Sequence, residues 1–368
     1  MRAIVVRAAG ADFRLEELRR PTPGPGEVLL RIAACGVCHT DLHVQDGSLA
    51  FRFPATLGHE VSGTVEEVGD GVGHVAVGDA AVGAFIMPCG RCRMCTMDRE
   101  EICETFLSVN RRYGTLYDGT TRLYDADGDP VWMYSMGGLA EYAVLPALAV
   151  APLPASASLA ECAILGCAFL TAYGALVHVG DIGTGATVVV LGSGGVGLST
   201  IATARALGAG TIIAVDITRE RLAAAVELGA TATVDATSGD PVDAVRELTG
   251  GGAEIVVEAV GQPRTVRQAT EMTAAGGRCV LVGIAPSGVT AEFEITPLVR
   301  RKVQVLGSMG GRPLPDLTAL GRLVSEGALD PGALITRRFP LEEAGTAYRL
   351  LGEGRIIGRA LIEMGASS

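Results

Sequence analysis

Apolar positions in the first 160 residues fall into short runs, several of them alternating with polar ones: AIVV, EVLLRIAA, VSGTVEEVG and GGLAEYAVL. Turns rich in Gly and Pro, such as PTPGPGE and GDGVGHVAVGD, separate them, and no long helical periodicity joins them, so this part reads as β-rich. From about residue 185 a strand-then-helix alternation takes over: ATVVVLG, GVGLSTIATARALGA, TIIAVD, TRERLAAAVELGA, EIVVEAVG and GRCVLVG. Continuous apolar strands spaced by helical patterns predict a parallel sheet covered on both faces, a doubly wound domain. After VQVLGSM the regularity fades, and the tail runs through a helix, LPDLTALGRLVSEG, to a closing strand, GRALIEM. A tail this short is expected to return and complete the first domain. The pattern therefore predicts an α/β chain with a β-rich domain over 1–165, a doubly wound domain over 166–304 and a return segment over 305–368.

Length and charge narrow the classes. At 368 residues the chain exceeds one ordinary core, in keeping with two domains. A net charge of −11 with only 30 Lys and Arg offers no concentrated basic face, which argues against a nucleic-acid partner. The longest uncharged region, Tyr142 to Ala160, is broken by Pro146, Pro152 and Pro154 and makes a poor membrane span. The start, MRAIVVRAAG, lacks a charged region followed by a long apolar core, so a cytoplasmic protein without a signal peptide is expected.

Candidate chemistry is concentrated in three places. LGSGGVG follows an apolar strand and opens a helix, with Gly192, Gly194 and Gly197 in G-x-G-x-x-G positions around Gly195 and Val196. Glycines there permit a tight turn and close approach of a pyrophosphate to the helix N-terminus, although in a chain with 50 glycines the bare match is weak. Asp216 ends the next strand, about twenty residues on, where a carboxylate accepts from ribose hydroxyls and repels a 2′-phosphate. This favours NAD over NADP; nearby Arg219 and Arg221 keep NADP open, and a strand-end or helix-capping role is the alternative for Asp216.

Cys89, Cys92, Cys95 and Cys103 form C-x2-C-x2-C-x7-C, a spacing that lets one loop present four thiolates to a single zinc ion. With every position filled by protein, the role would be structural; an iron–sulfur cluster is the alternative, and disulfides fit a cytoplasmic protein less well. The stretch ACGVCHTDLHVQDG and the histidine of LGHEVSG offer Cys38 and His59 as ligands of a second, catalytic zinc, whose third ligand spacing alone cannot find.

GVCHTDLHVQDG, GHEVSGTVEEVGDGV, the four-cysteine lobe, LGCAFLTAYG and LGSGGVG occur in the order typical of zinc-dependent alcohol dehydrogenases of the medium-chain dehydrogenase/reductase superfamily, and the chain resembles that family over essentially its whole length. The resemblance implies a GroES-like catalytic domain, a Rossmann cofactor domain and an active site in the cleft between them. It implies two zinc ions per chain: a catalytic one held by Cys38, His59 and Cys167, with Glu60 beside it as alternate ligand or neighbour, and a structural one in the four-cysteine lobe. Asp41 matches the carboxylate that orients the zinc histidine, here His59. Thr40 and His43 match a relay that carries the substrate proton to the surface by way of the cofactor ribose. His39 and Arg359 match groups that meet the pyrophosphate. Leu49, Phe85, Ile86, Met133 and Tyr134 would line the substrate channel, each equally readable as core, and would suit an uncharged primary, allylic or aromatic alcohol or its aldehyde. Cys35, Cys162, Cys279, His74 and His178 match nothing catalytic.

The segment FLSVNRRYGTLYDGTTRLYDADGDPVW resembles the longer, dimeric branches of the family, including the thiol-adduct formaldehyde dehydrogenases. There Arg111 and Arg112 would meet an acidic conjugate, a solvated loop being the plainer reading. The apolar edge strand VQVLGSM suits pairing with its twin in a homodimer, a tetramer remaining open. Two rivals stay in view: a reductase of an activated C=C or C=N bond on the same scaffold, and a noncatalytic NAD-binding protein.

Overall fold

The computed structural model describes residues 1–365 and divides into two compact units, Met1–Leu170 with the return segment from Arg312, and Thr171–Gly311. The second unit begins and ends a few residues later than the sequence pattern suggests. A break after residue 304 would cut the strand Gln304–Gly307, which pairs in parallel with Thr273–Leu281 and belongs to the same sheet.

The first unit is built on a seven-stranded sheet. Its central strand, Glu27–Gly36, is buried along almost its whole length because it has neighbours on both sides. Val61–Val68 pairs antiparallel along one edge; Tyr142–Pro146 and then Arg359–Glu363 share the other. The return segment thus completes this sheet, its two strands Ile335–Pro340 and Arg359–Glu363 lying side by side. The four-cysteine lobe, residues 89–103, contains only two short 3-10 turns, Cys95–Met97 and Glu100–Ile102. Next comes a small three-stranded sheet of Ala55–Thr56, Pro130–Met133 and Leu123–Tyr124.

The second unit is a six-stranded parallel sheet, in the order Ala232–Asp235, Thr211–Asp216, Thr187–Leu191, Ala253–Glu258, Thr273–Leu281, Gln304–Gly307. Val188, Val189 and Val190 are wholly buried, as a strand covered on both faces requires, and each such side chain contributes about 1.5–3 kcal/mol of apolar burial. The strand order reverses between Thr187–Leu191 and Ala253–Glu258, the point where open α/β sheets form their ligand crevice. Among the described residues no helix is long and apolar enough to cross a membrane.

Candidate active site and metal centres

Strand pairing assembles the first cluster. Cys38 lies just past the central strand, at the N-cap of the short helix His39–Gln45. His59 and Glu60 lie just before Val61, which faces Cys35 across the antiparallel ladder, and the Gly36 N–H donates to the Glu60 carbonyl at 2.7 Å. The crossing is tight: a Cβ on Gly36 would fall 2.2 Å from Glu60 Oε2, so glycine is required there. Cys167 ends the 3-10 segment Glu161–Gly166, whose last carbonyl accepts from the Phe85 N–H at 2.9 Å. The result is a buried set, Cys38, His59, Glu60 and Cys167, with one donor atom from each and all four within 4.8 Å of one another.

The protonation pattern of this set suits a dication. A hydrogen bond from Cys167 holds the Cys38 thiol well below its usual range against the cost of burial, aided by the positive His59 and Arg359; the shared proton keeps Cys167 correspondingly high. Burial opposes charge on His59, yet Asp41 and Cys38 together raise its pKa. Burial lifts Glu60 to about 7 despite the neighbouring Arg359 guanidinium. Arg359 Nη1 stands 3.2 Å from Glu60 Oε1, but neither carboxylate oxygen accepts a hydrogen bond. Two thiols, an imidazole and an orphaned carboxylate, all out of water, are the donors that zinc takes.

Asp41 is fully buried and accepts three hydrogen bonds: His59 Nδ1 at 3.0 Å and the Gly58 N–H at 3.1 Å on Oδ1, and the Tyr348 hydroxyl at 2.7 Å on Oδ2. Because a carboxylate only accepts, Nδ1 carries the proton and Nε2 is left to the metal side. Thr40 Oγ1 lies 3.7 Å from Cys38 Sγ, and His43, three residues on along the same helix, is exposed. His39 is exposed at the start of that helix. The rings of Tyr134 and Phe85 meet the His59 ring edgewise, with centroids at 5.9 and 6.2 Å. Ile86 and Met133 are wholly buried, the Met133 sulfur accepting from the Arg122 N–H, whereas Leu49 is exposed. Arg111 stacks over the Tyr134 ring at 4.3 Å with Nη1 buried and unpartnered; Arg112 is exposed.

Arg359 differs from its sequence reading in its surroundings. It is buried against Glu60, donates through Nη1 to the Val37 carbonyl and has the Cys38 thiol beside it.

The second cluster is Cys89, Cys92, Cys95 and Cys103, again with donors within 4.8 Å. Cys92 Sγ lies 3.5 Å from Cys95 Sγ and 3.8 Å from Cys103 Sγ, near the edge of about 3.8 Å that Zn–S bonds of about 2.3 Å give a tetrahedron. Backbone N–H groups of Cys89, Cys92 and Phe106 point at the sulfurs from 3.3–3.4 Å, as they do toward thiolates. Cys35, Cys162 and Cys279 are buried and unpaired. His74 reaches the Val150 carbonyl at 3.0 Å, and His178 packs edgewise on Tyr173.

In the second unit Gly192, with φ +90°, ends the first strand, and Gly194 caps the helix Gly195–Ala206. A Cβ on Gly197 would sit 1.8 Å from the Gly192 carbonyl, so the helix can start this close only with glycine. Asp216 ends its strand and is buried, accepting from the Ser193 N–H at 2.7 Å and the Thr218 N–H at 2.9 Å. It thereby holds the glycine turn, and the helix cap that the sequence left open falls to Thr218. Arg219 is exposed, 3.7 Å from Asp235; Arg221 is half-buried.

Sequence reasoning missed two groups. Tyr348 reaches Asp41 from 307 positions away, with no local motif to flag it. Glu258, at the end of the strand beside Leu191, is fully buried; its Oε1 accepts from Val260, Gly261 and Thr265, and its Oε2 has no partner. An acidic residue closing the apolar run EIVVE was its only trace.

A doubly wound sheet with a glycine turn, joined in one chain to a β-rich unit bearing buried Cys/His donors, defines a zinc-binding dehydrogenase. Residues 24–155 match the family model described as the alcohol dehydrogenase GroES-like domain, and residues 195–326 the one described as zinc-binding dehydrogenase. A Mycobacterium tuberculosis protein provisionally named alcohol dehydrogenase D is 35% identical over 367 residues, covering 98% of this chain and 99% of its own. Among solved structures, an alcohol dehydrogenase zinc-binding domain protein from Burkholderia ambifaria superposes with TM-score 0.94 at 35% identity over 99% of this chain and 98% of its own. Benzyl alcohol dehydrogenase from Acinetobacter calcoaceticus does so with TM-score 0.92 at 30% identity over 99% of each. The chain belongs to the zinc-dependent alcohol dehydrogenase family of the medium-chain dehydrogenase/reductase superfamily, and is an oxidoreductase that uses zinc and a nicotinamide nucleotide.

Proposed function

We propose that this protein is an alcohol dehydrogenase that transfers hydride between a primary, allylic or aromatic alcohol, or its aldehyde, and NAD. The observation that carries the reading is the convergence of Cys38, His59 and Cys167, with Thr40 Oγ1 beside the cluster. These three would hold a catalytic zinc, with the Glu60 carboxylate beside them as a fourth donor, and the Cys89–Cys92–Cys95–Cys103 lobe would hold a structural one. When bound, zinc supplies Lewis acidity that lowers the pKa of an alcohol, and the dinucleotide supplies the hydride acceptor.

The chain's own groups do the rest. Asp41 keeps His59 Nε2 pointed at the metal. Thr40 Oγ1 takes up the substrate's proton as it passes its own on toward His43, which is exposed and exchanges protons with solvent. The edges of Phe85 and Tyr134 against His59 exclude water and suit an apolar, ring-bearing substrate, in keeping with the benzyl alcohol activity named for the Acinetobacter relative. His39, the Gly192–Gly197 turn, Arg221 and Arg359 bind the dinucleotide, and buried Asp216 favours NAD by repelling a 2′-phosphate. Nine unpaired thiols suit the reducing cytoplasm. The protein works as a homodimer joined through the Gln304–Gly307 edge.

The test is zinc content per chain together with NAD reduction across primary, allylic and aromatic alcohols. Two zincs and alcohol-dependent NADH are expected. Two zincs with no NADH from any alcohol would transfer the site to the reductase reading, and fewer than two would overturn the metal assignment.

A further inference from the structure

Among the described residues, Tyr348 is the one group outside the metal cluster and its loop whose side chain bonds to the Asp41 carboxylate. Its hydroxyl donates to Asp41 Oδ2 at 2.7 Å, while Oδ1 serves His59 Nδ1 and the Gly58 N–H. Both side chains are wholly out of water. The Tyr348 ring stacks on Phe13, with centroids 4.4 Å apart and planes within 7°. Its helix, Ala344–Gly352, belongs to the return segment, so a residue near the chain's end reaches the centre of the first unit.

The bond matters because of how a carboxylate turns. The terminal torsion of Asp is broad, so packing of the Asp41 backbone does not by itself fix where Oδ1 lies. Two donors on Oδ1 fix one oxygen; the phenol on Oδ2 fixes the plane. A buried oxygen left without a donor would also turn to find one, carrying Oδ1 off the imidazole. We infer that Tyr348 is a positioning residue for the metal site: through Asp41 it sets the orientation of His59 and hence how long the Cys38–His59–Cys167 site keeps its zinc. The inference rests on the reading of those three residues as zinc ligands.

The experiment is chelator-driven zinc release from the intact protein, followed with a metallochromic dye, in wild type and Tyr348→Phe. The Phe ring keeps the stack on Phe13 and removes only the hydroxyl. One of the two zincs should leave about 10–100-fold faster, the range typical for loss of a group that orients a ligand, while the lobe zinc leaves at its wild-type rate. With cobalt in the site, the sulfur-to-metal absorption should shift, a signature that mere loss of packing leaves unmoved. Combining Tyr348→Phe with Asp41→Asn should add little beyond Asp41→Asn alone, since both act through one carboxylate. Phe13→Leu, which loosens the stack and spares the hydroxyl, should release zinc at close to the wild-type rate.

Wild-type release and cobalt spectrum in Tyr348→Phe would overturn the inference, as would a Phe13→Leu protein that loses zinc equally fast. If the Phe variant does not fold, Tyr348→Leu, which also carries no donor, takes the same test, and wild-type release from it is equally fatal. Failure of the underlying reading looks different: wild type would then give up a single zinc, the one abolished by Cys95→Ser.

Discussion

The proposed preference for NAD gives the Asp216 carboxylate two duties, one architectural and one in specificity. Asp216 holds the glycine turn through the Ser193 N–H, and on the proposed NAD reading a 2′-phosphate would meet its buried carboxylate. Facing like charges cost several kcal/mol, and about 1.4 kcal/mol is tenfold in a rate ratio. Asp216→Ser should therefore raise the ratio of kcat/KM for NADP over NAD at least tenfold, while weakening NAD itself because the turn loses an acceptor; an unchanged ratio would remove Asp216 from cofactor choice. At the metal site, Cys167→Ala should reduce zinc from two to one per chain and abolish turnover, with far-UV circular dichroism retained, and an unchanged zinc count would sink the ligand assignment. These residues differ in how far sequence exposes them. Cys38 and His59 flank paired strands, and each sits in a recognisable local run. Cys167 was reachable only through family resemblance, and Tyr348 not at all, because a bond between residues 41 and 348 is made by tertiary packing that no periodicity encodes.

Among elements, the four-cysteine lobe depends most on something other than a core. It has no strand and only two single-turn 3-10 segments, and Cys89 and Cys92 are only half-buried. On the proposed reading, four ligands on one ion would replace the apolar area it lacks. Removing the ion should open the lobe locally without melting the seven-stranded sheet beside it, since local stability follows local burial. Cys95→Ser should lose the lobe zinc and become at least about tenfold more susceptible to trypsin at Arg91, Arg93 and Arg99, with the thermal midpoint of the remainder changed little. Cleavage at the wild-type rate would mean that the lobe stands without metal. At this scale sequence was most informative: period-2 runs became the strands Glu27–Gly36 and Val61–Val68, and glycine-bounded apolar runs became the parallel sheet. It was least informative where pairing partners are remote, as for Arg359–Glu363, which joins Glu27–Gly36 from the far end of the chain.

For the whole molecule the open question is what covers the free edge of the parallel sheet. Among the described residues Gln304–Gly307 pairs on one side only, with Thr273–Leu281, so its other side has no strand partner. The preceding helix, Ile295–Arg301, carries Ile295 and Val299 four residues apart on one face, 76% and 69% exposed, and Ile284 nearby in sequence is 83% exposed. An open edge flanked by bare aliphatic side chains is a liability in a monomer and a ready interface for a second copy, since two such edges related by a two-fold axis can extend one sheet into the other. Sedimentation equilibrium should therefore give a dimer for wild type. Replacing Ile295 and Val299 together with arginine places four like charges across the axis, two from each copy, and should shift the protein to a monomer while leaving circular dichroism and zinc content unchanged. A wild-type monomer, or a double variant that stays dimeric, would move the interface elsewhere on the chain.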